Sequence, residues 1–180
     1  MSRSFTTGYA KLLGFTVLTI LLFLNPLQAQ EKPIQIALVN PIQIFPEDVS
    51  ISGLRINLIY GKNASLTGLD WGLVNRLTGS CVGLQYGFVS IVDGDFSGWQ
   101  DSFVTITKGK FQGLQSGFVN SMNTGVGIQW GFVNHATYIN GLQFGFINFV
   151  NSMKGLQIGL VNIIKQGGQF PVFPIVNWSF

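Results

Sequence analysis

The stretch GLQFGFINFVNSMKGLQIGLVN, residues 141–162, contains nearly the same eight-letter phrase twice, fourteen residues apart. If the first Gly of the phrase is position 1, the phrase recurs at spacings of 15, 15, 15, 15, 14, 14 and 14, starting at Gly53, Gly68, Gly83, Gly98, Gly113, Gly127, Gly141 and Gly155. Weaker copies from Pro33 (PIQIALVN) and Phe170 (FPVFPIVN) bring the total to ten. A fixed period of this kind is typical of repeat folds, in which each unit is stable only beside its neighbours.

The columns of the repeat predict that each phrase is a β-strand. Position 7 is Val or Ile in every copy, and positions 2 and 6 are almost always large and apolar. Side chains two residues apart in a strand share a face, so positions 2, 4 and 6 point one way and positions 3, 5 and 7 the other. We therefore predict that positions 2 and 6 form the core, together with the position 4 aromatics. The alternative for these aromatics is a sugar-stacking track or a membrane-facing surface, formed by Trp71, Tyr86, Trp130 and Phe144.

The segments between phrases predict tight turns, because LTGS, VDGD and TKGK place a Gly at the same relative position. Most charged side chains fall in these connectors. One further apolar column, two residues before the Gly of a phrase, is also predicted to be core. It consists of Ile51, Leu66, Cys81, Phe96, Phe111, Ile139 and Met153. Cys81 is the only cysteine, so no disulfide framework is expected, and a small buried core residue is the simplest interpretation of it.

Three all-β architectures place a strand every 14 or 15 residues. A β-solenoid stacks identical residues in parallel ladders, whereas the alternatives, an up-and-down meander or a ten-stranded outer-membrane β-barrel, pair neighbours antiparallel. The barrel is favoured by the even copy number, the low charge and the terminal Phe180. However, Pro33 and Pro174 lie in the two copies that its seam would join, and Pro cannot donate a ladder hydrogen bond. We therefore prefer the solenoid.

Amide columns also favour parallel stacking, because stacked amides in register can hydrogen-bond along the stack. Position 8 is Asn in seven copies, and position 3 is Gln in seven. If the Gln column faces outward, it forms a neutral ladder that could bind another sheet, a glycan or a surface polymer. The candidate surface ladder consists of Gln85, Gln100, Gln115, Gln129, Gln143 and Gln157.

The N-terminus resembles a secretory signal peptide. Arg3 and Lys11 precede an apolar run over residues 12–24, and a small-residue site ends at Ala29. The run is shorter than the about 20 apolar residues that span a bilayer. We expect residues 1–29 to be cleaved and residues 30–180 to form a single exported β-repeat domain.

Composition and motifs indicate a protein without catalytic machinery. Without Arg3 and Lys11, eight basic residues remain beside seven acidic ones, so no nucleic-acid partner is expected. His135 is the sole histidine and is predicted to be a solvated loop residue, while Asp93 and Asp95 are predicted to flank a solvated turn. We predict no catalytic residue, cofactor, metal site or small-molecule substrate.

The phrase, the export signal and the ending FPVFPIVNWSF resemble a family of bacterial exported surface-repeat proteins built from tandem Gly-[Leu/Val/Ile]-Gln-x-Gly-[Leu/Phe]-[Val/Ile]-Asn units. The resemblance covers about residues 33–180 and implies a location at the cell envelope or surface, without transferring any catalytic residue. The copies at Gly53 and Gly98 depart from the pattern. We expect a non-enzymatic structural protein of the envelope that acts through its repeat surface, with the outer membrane, envelope polymers or a second copy as partners. The alternatives are an outer-membrane barrel acting as a small channel and a glycan- or lattice-binding adhesin.

Overall fold

The computed structural model describes residues 31–180, which form a single all-β sheet with strand order β2-β1-β3-β4-β5-β6-β7-β8. The predicted signal peptide, residues 1–29, lies outside the described residues. The strands are β1 (Lys32–Val39), β2 (Ile42–Gln43), β3 (Ile51–Asn63), β4 (Leu66–Leu77), β5 (Cys81–Val92), β6 (Phe96–Phe144), β7 (Ile147–Gln166) and β8 (Val172–Ser179).

Successive phrases stack in parallel and in register. Gly68 pairs with Gly83 fifteen residues later, and Gly141 pairs with Gly155 fourteen residues later. The spacings of the sequence repeat are therefore the lengths of single coils. The predicted β-solenoid is confirmed, and the antiparallel pairing of the alternative architectures does not occur between these phrases.

Two glycine columns allow the coils to approach closely. Gly113 has a φ of 131°, and a Cβ built on it would overlap the carbonyl oxygen of Gly98 in the coil before. Gly131, at position 5, would meet the carbonyl oxygen of Gly117 in the same way. A larger side chain at Gly113 or Gly131 would therefore clash with the backbone of the coil before it.

An apolar core fills the end of each coil next to the connector. The predicted column two residues before each Gly is buried, and Cys81 is fully buried within it, as predicted. A second buried column lies two residues after the end of each eight-residue phrase, at position 10 when the first Gly is position 1. It packs against the first column. It includes Leu77, Val92, Met122, Ala136, Val150 and Ile164.

The prediction that positions 2 and 6 form the core is wrong. Phe103 at position 6 is 47% exposed, and Leu69 at position 2 is 50% exposed. The interior at this end of the coil holds positions 3 and 8 instead, which are mostly Gln and Asn. Strand alternation shows which side chains share a face but not which face points inward, and amides that bond to each other can be buried at little cost.

Both ends of the stack are closed by antiparallel strands. The short strand β2 pairs with β1, and β8 pairs with β7 through partners such as Leu156 and Trp178. The tenth copy of the phrase is therefore a cap and not a further coil. Pro174 lies within this cap, consistent with the expected use of proline at strands that must not pair further.

Candidate functional site

The outward side chains at positions 2, 4 and 6 of the parallel phrases form one continuous surface, which we call the apolar face. It lies on the same strands that carry the buried Gln column, because adjacent residues in a strand point to opposite sides. Its exposed members are Ile34, Ile36, Leu38, Leu58, Leu69, Trp71, Leu73, Leu84, Tyr86, Phe88, Trp99, Phe103, Phe118, Ile128, Trp130, Phe132, Phe146 and Leu160.

The apolar face is unusually large for a protein surface. Nine phrases spaced about 4.8 Å apart make the stack about 43 Å long, and five strand residues at about 3.3 Å each make it about 16 Å wide. The resulting footprint of roughly 700 Å² exceeds the about 300–600 Å² of the largest apolar patch on a typical monomer. Patches of this size mark interaction surfaces.

A ladder of stacked phenylalanines shows that the apolar face is flat. Consecutive rings along position 6 have centroids 4.8–5.0 Å apart and planes within 6° of parallel. Neighbouring strands in ordinary sheets rotate by about 20–25°, so rings this parallel indicate very little twist from coil to coil. The rings cover each other's faces and present their edges to solvent. The ladder consists of Phe88, Phe103, Phe118, Phe132 and Phe146.

The four position 4 aromatics belong to this face and not to the core. Trp71 is 53%, Tyr86 56% and Trp130 65% exposed, while Phe144 is half-buried. Their predicted burial is wrong for the same reason as that of positions 2 and 6.

One polar cluster interrupts the apolar face near its middle. Trp99 Nε1 donates to Ser116 Oγ at 2.8 Å, and Ser116 Oγ donates to Asp101 Oδ1 at 2.8 Å. Asp101 is the one charged residue among the positions that define the face. The cluster satisfies part of the carboxylate's hydrogen-bonding capacity without neutralising its charge.

The candidate Gln ladder is present but is not a surface. Its members are at most 1% exposed, and each side-chain amide donates to the oxygen of the Gln one coil before it, at 2.6–2.9 Å. Gln85, which begins the run, donates to Asp70 at 2.7 Å. The predicted exposure of Gln85, Gln100, Gln115, Gln129, Gln143 and Gln157 is wrong, because every one of these side chains points into the solenoid. They cannot contact a glycan or a polymer.

A buried ion pair starts the Gln ladder. Arg55 donates from Nε to Asp70 Oδ1 at 2.8 Å and from Nη2 to Asp70 Oδ2 at 2.6 Å, and both side chains are 0% exposed. These residues occupy position 3 of adjacent phrases, where the other coils have Gln. Sequence reasoning missed the pair, although opposite charges at the same position of neighbouring phrases would have signalled it.

The Asn column forms a second internal ladder of opposite polarity. Asn120 donates to Asn134, Asn134 to Asn148 and Asn148 to Asn162, each at 2.8 Å. These amides donate toward the C-terminal end of the stack, whereas the Gln amides donate toward the N-terminal end. The predicted bonding of amides along parallel coils therefore holds for both columns.

Burial or a charged neighbour accounts for the pKa shifts of Cys81, His135 and Asp93. Burial raises the pKa of the Cys81 thiol to about 12. His135 lies in β6 and not in the predicted loop, stacks on Phe149 with centroids 5.4 Å apart, and has its pKa lowered by burial and by Lys165. Asp93 has its pKa lowered mainly by its hydrogen bond to Lys108.

A groove of about 610 Å³ lies beside the apolar core, at the corner where each coil leaves its connector. It opens where Gly125 takes the place of a core side chain, and Phe96, Phe111 and Tyr138 help to line it. Within residues 31–180 no group of three or more His, Cys, Asp or Glu side chains could hold a metal ion.

No protein-family model matches the chain, and no curated protein or solved structure matches it. In the part of the chain described by the structure, no helix is both long enough and apolar enough to cross a membrane. The resemblance to the exported surface-repeat family remains a prediction.

Proposed function

We propose that the chain is a non-enzymatic, exported structural protein of the bacterial cell envelope that acts by association through its apolar face. The observation that carries this proposal is the exposure of that face, where Phe103 and Phe118 remain 47% and 44% exposed although they stack on each other. Exposure of roughly 700 Å² of flat apolar surface to water is unfavourable by about 25 cal/mol per Å². A partner that covers this surface would therefore form a complex stabilised by the hydrophobic effect.

The location at the envelope rests on the N-terminal sequence and on the family resemblance. The binding role rests on the fold. Buried amide ladders hold the coils in register, so the outward columns are presented on a rigid support and need little ordering when they bind. The stacked phenylalanines expose ring edges, whereas sugars pack against ring faces, so this ladder favours an apolar partner over a glycan.

The proposal can be tested by site-specific photo-crosslinking in cells that produce the full chain. A benzophenone amino acid in place of Phe103 lies on the apolar face, and the same amino acid in place of Thr137, which is exposed in β6 outside positions 2, 4 and 6, is the control. We expect adducts in the envelope fraction from the Phe103 position and none from the Thr137 position. Adducts at neither position, or equally at both, would exclude association through the apolar face.

A further inference from the structure

We propose that the partner of the apolar face is a second copy of this chain, bound face to face as a two-fold dimer. This inference rests on the proposed function, because it names what covers the surface described there. Three features of the solenoid support it: the area of the face, its flatness and the closure of both ends.

The area of the face matches what a stable dimer needs. A standard protein interface buries about 800 Å² on each partner. The apolar face has a flat footprint of roughly 700 Å², and its protruding side chains add further accessible area. Packed sheets lie about 10 Å apart with interdigitated side chains. Two such faces therefore provide one complete interface of ordinary size, with the partially exposed Phe103 and Phe118 near its centre.

Flatness selects a partner with the same geometry. Phe103 and Phe118 are parallel within 2°, so the columns at positions 2, 4 and 6 run as nearly straight ridges along the stack. The ridges are about 6.7 Å apart, because two strand residues separate them. A sheet with ordinary twist would diverge from this face within a few strands. A second copy has the same ridges at the same spacing, and they fit the grooves between them along the whole length.

Capping of the ends disfavours continuation of the stack. The antiparallel strand β8 covers the edge of β7, and β2 covers β1 at Ala37 and Val39. Another solenoid therefore meets an antiparallel strand at each end, whereas the apolar face is uncovered along its length.

Asp101 makes covering the centre of the apolar face costly for a lipid surface and for a second copy. The phrase at Gly98 is the middle one of the nine that run from Pro33 to Gly155, and Asp101 lies at the central position 4 of this phrase. Against acyl chains a carboxylate at the centre of the face is costly. In a two-fold dimer whose axis passes through the middle phrase, the two Asp101 side chains face each other near the axis, each with its own hydrogen bond from Ser116. Their like charges weaken the dimer, so a variant that removes them is expected to associate more tightly.

Sedimentation equilibrium of the purified protein tests the dimer. We expect twice the chain mass at micromolar concentration. The double substitution Phe103→Lys/Phe118→Lys should weaken association at least 100-fold, and the control Thr137→Lys, at an exposed residue of β6 outside positions 2, 4 and 6, should leave it unchanged. A wild-type protein that stays monomeric, or a double variant that dimerises as well as the wild type, would overturn the proposal.

A second variant is expected to strengthen association, a result that misfolding could not produce. Asp101→Asn keeps an acceptor for Ser116 but removes the facing charges, so we expect its dimer to be about tenfold tighter. Weaker or unchanged association of this variant would contradict the two-fold arrangement around the middle phrase.

Two further measurements distinguish failure of the dimer from failure of the proposed function. Photo-adducts from the Phe103 position should have twice the chain mass and contain only this chain. Adducts with a different protein, or flotation of the monomer with phosphatidylcholine vesicles in a Phe103-dependent manner, would exclude the dimer while leaving association through the apolar face intact.

Discussion

Arg55 and Asp70 are charged residues buried in a solenoid interior that is otherwise neutral at position 3. Asp70 accepts from both Arg55 and Gln85, so it links the ion pair to the amide ladder. Burying two charges costs several kcal/mol per ion unless geometry and hydrogen bonds offset it. Here the bidentate contact and the neighbouring amides supply those bonds.

Breaking this pair on one side only should destabilise the protein strongly. For Asp70→Asn we expect a loss of about 3–5 kcal/mol in the free energy of unfolding, because Arg55 is left as an uncompensated buried charge. The double variant Arg55→Gln/Asp70→Gln extends the Gln ladder by two coils and should lie within about 1 kcal/mol of the wild type. Urea denaturation measures both values. A double variant as unstable as the single one would show that the ion pair itself, and not the continuity of the ladder, stabilises these coils.

Cys81 provides a test of burial at the level of a single group. Because its pKa is raised to about 12 in the folded protein, the thiol stays protonated at pH 8, and we expect a disulfide-forming thiol reagent to label the unfolded chain but not the native one. The folded state holds this proton more tightly than the unfolded state. The contribution of the Cys81 proton to the free energy of unfolding is therefore fully present below the pKa of the unfolded thiol, about 8.5. This contribution is lost as the pH rises toward 12. A Cys81→Ala variant should lack this component of the alkaline decrease, and native labelling as fast as unfolded labelling would contradict the burial.

At the scale of the element, the two ends of each coil are stabilised differently. The end next to the connector is held by apolar burial, with Phe96 stacked on Phe111 at 5.3 Å. The opposite end is held by the Gln and Asn ladders, which run in opposite directions. An amide inside a ladder has both its donor and its acceptor in use, whereas the last amide does not: Gln157 Oε1 has no hydrogen-bond partner.

Position within the ladder should therefore decide the cost of losing an amide. Gln129 donates to Gln115 and to the carbonyl of His135 and accepts from Gln143. Replacing it with the similarly shaped Met leaves buried groups unpaired on both sides, and we expect a loss of about 3 kcal/mol. Gln157→Met, at the end of the ladder, breaks fewer bonds and should cost about half as much. Chemical denaturation of the two variants compares them directly. Equal losses would mean that the ladder does not act as a connected unit.

At the scale of the whole molecule, the caps convert a repeating stack into a finite one. Every parallel coil has an edge that could accept another coil, and the last of these edges, on β7, is covered by β8. The apolar face runs the length of the stack between the two caps. An antiparallel strand thus caps each end of the stack, and the apolar face is exposed between the caps.

Removing the C-terminal cap should change how the protein assembles. A chain that ends at Phe170 lacks β8, so the edge of β7 is free to pair with another molecule. We expect this variant to form elongated assemblies that grow with concentration, detected by light scattering, while circular dichroism remains that of a β protein. The substitution Phe180→Ala keeps β8 and should leave the mass unchanged. A truncated chain with the wild-type mass would show that the exposed edge is not the route to growth.

The sequence alone determined the period and the strand, and it favoured the parallel stack, because Gln and Asn columns that repeat every 14 or 15 residues can hydrogen-bond to their own copies when the coils lie in register. It also identified Cys81 and the column around it as core, and the prolines of the last copy as features of an end. The tertiary structure decided which side of each strand is inside. Gln115 and Phe118 lie on opposite sides of their strand, and the alternation is the same whichever of them points inward. Hydrophobicity alone predicts that Phe118 is the buried one. Coils stacked in register at the ordinary strand spacing bring the amides of adjacent coils within hydrogen-bonding distance, so the polar column can fill the interior. The phenylalanines are then left outside, on the apolar face.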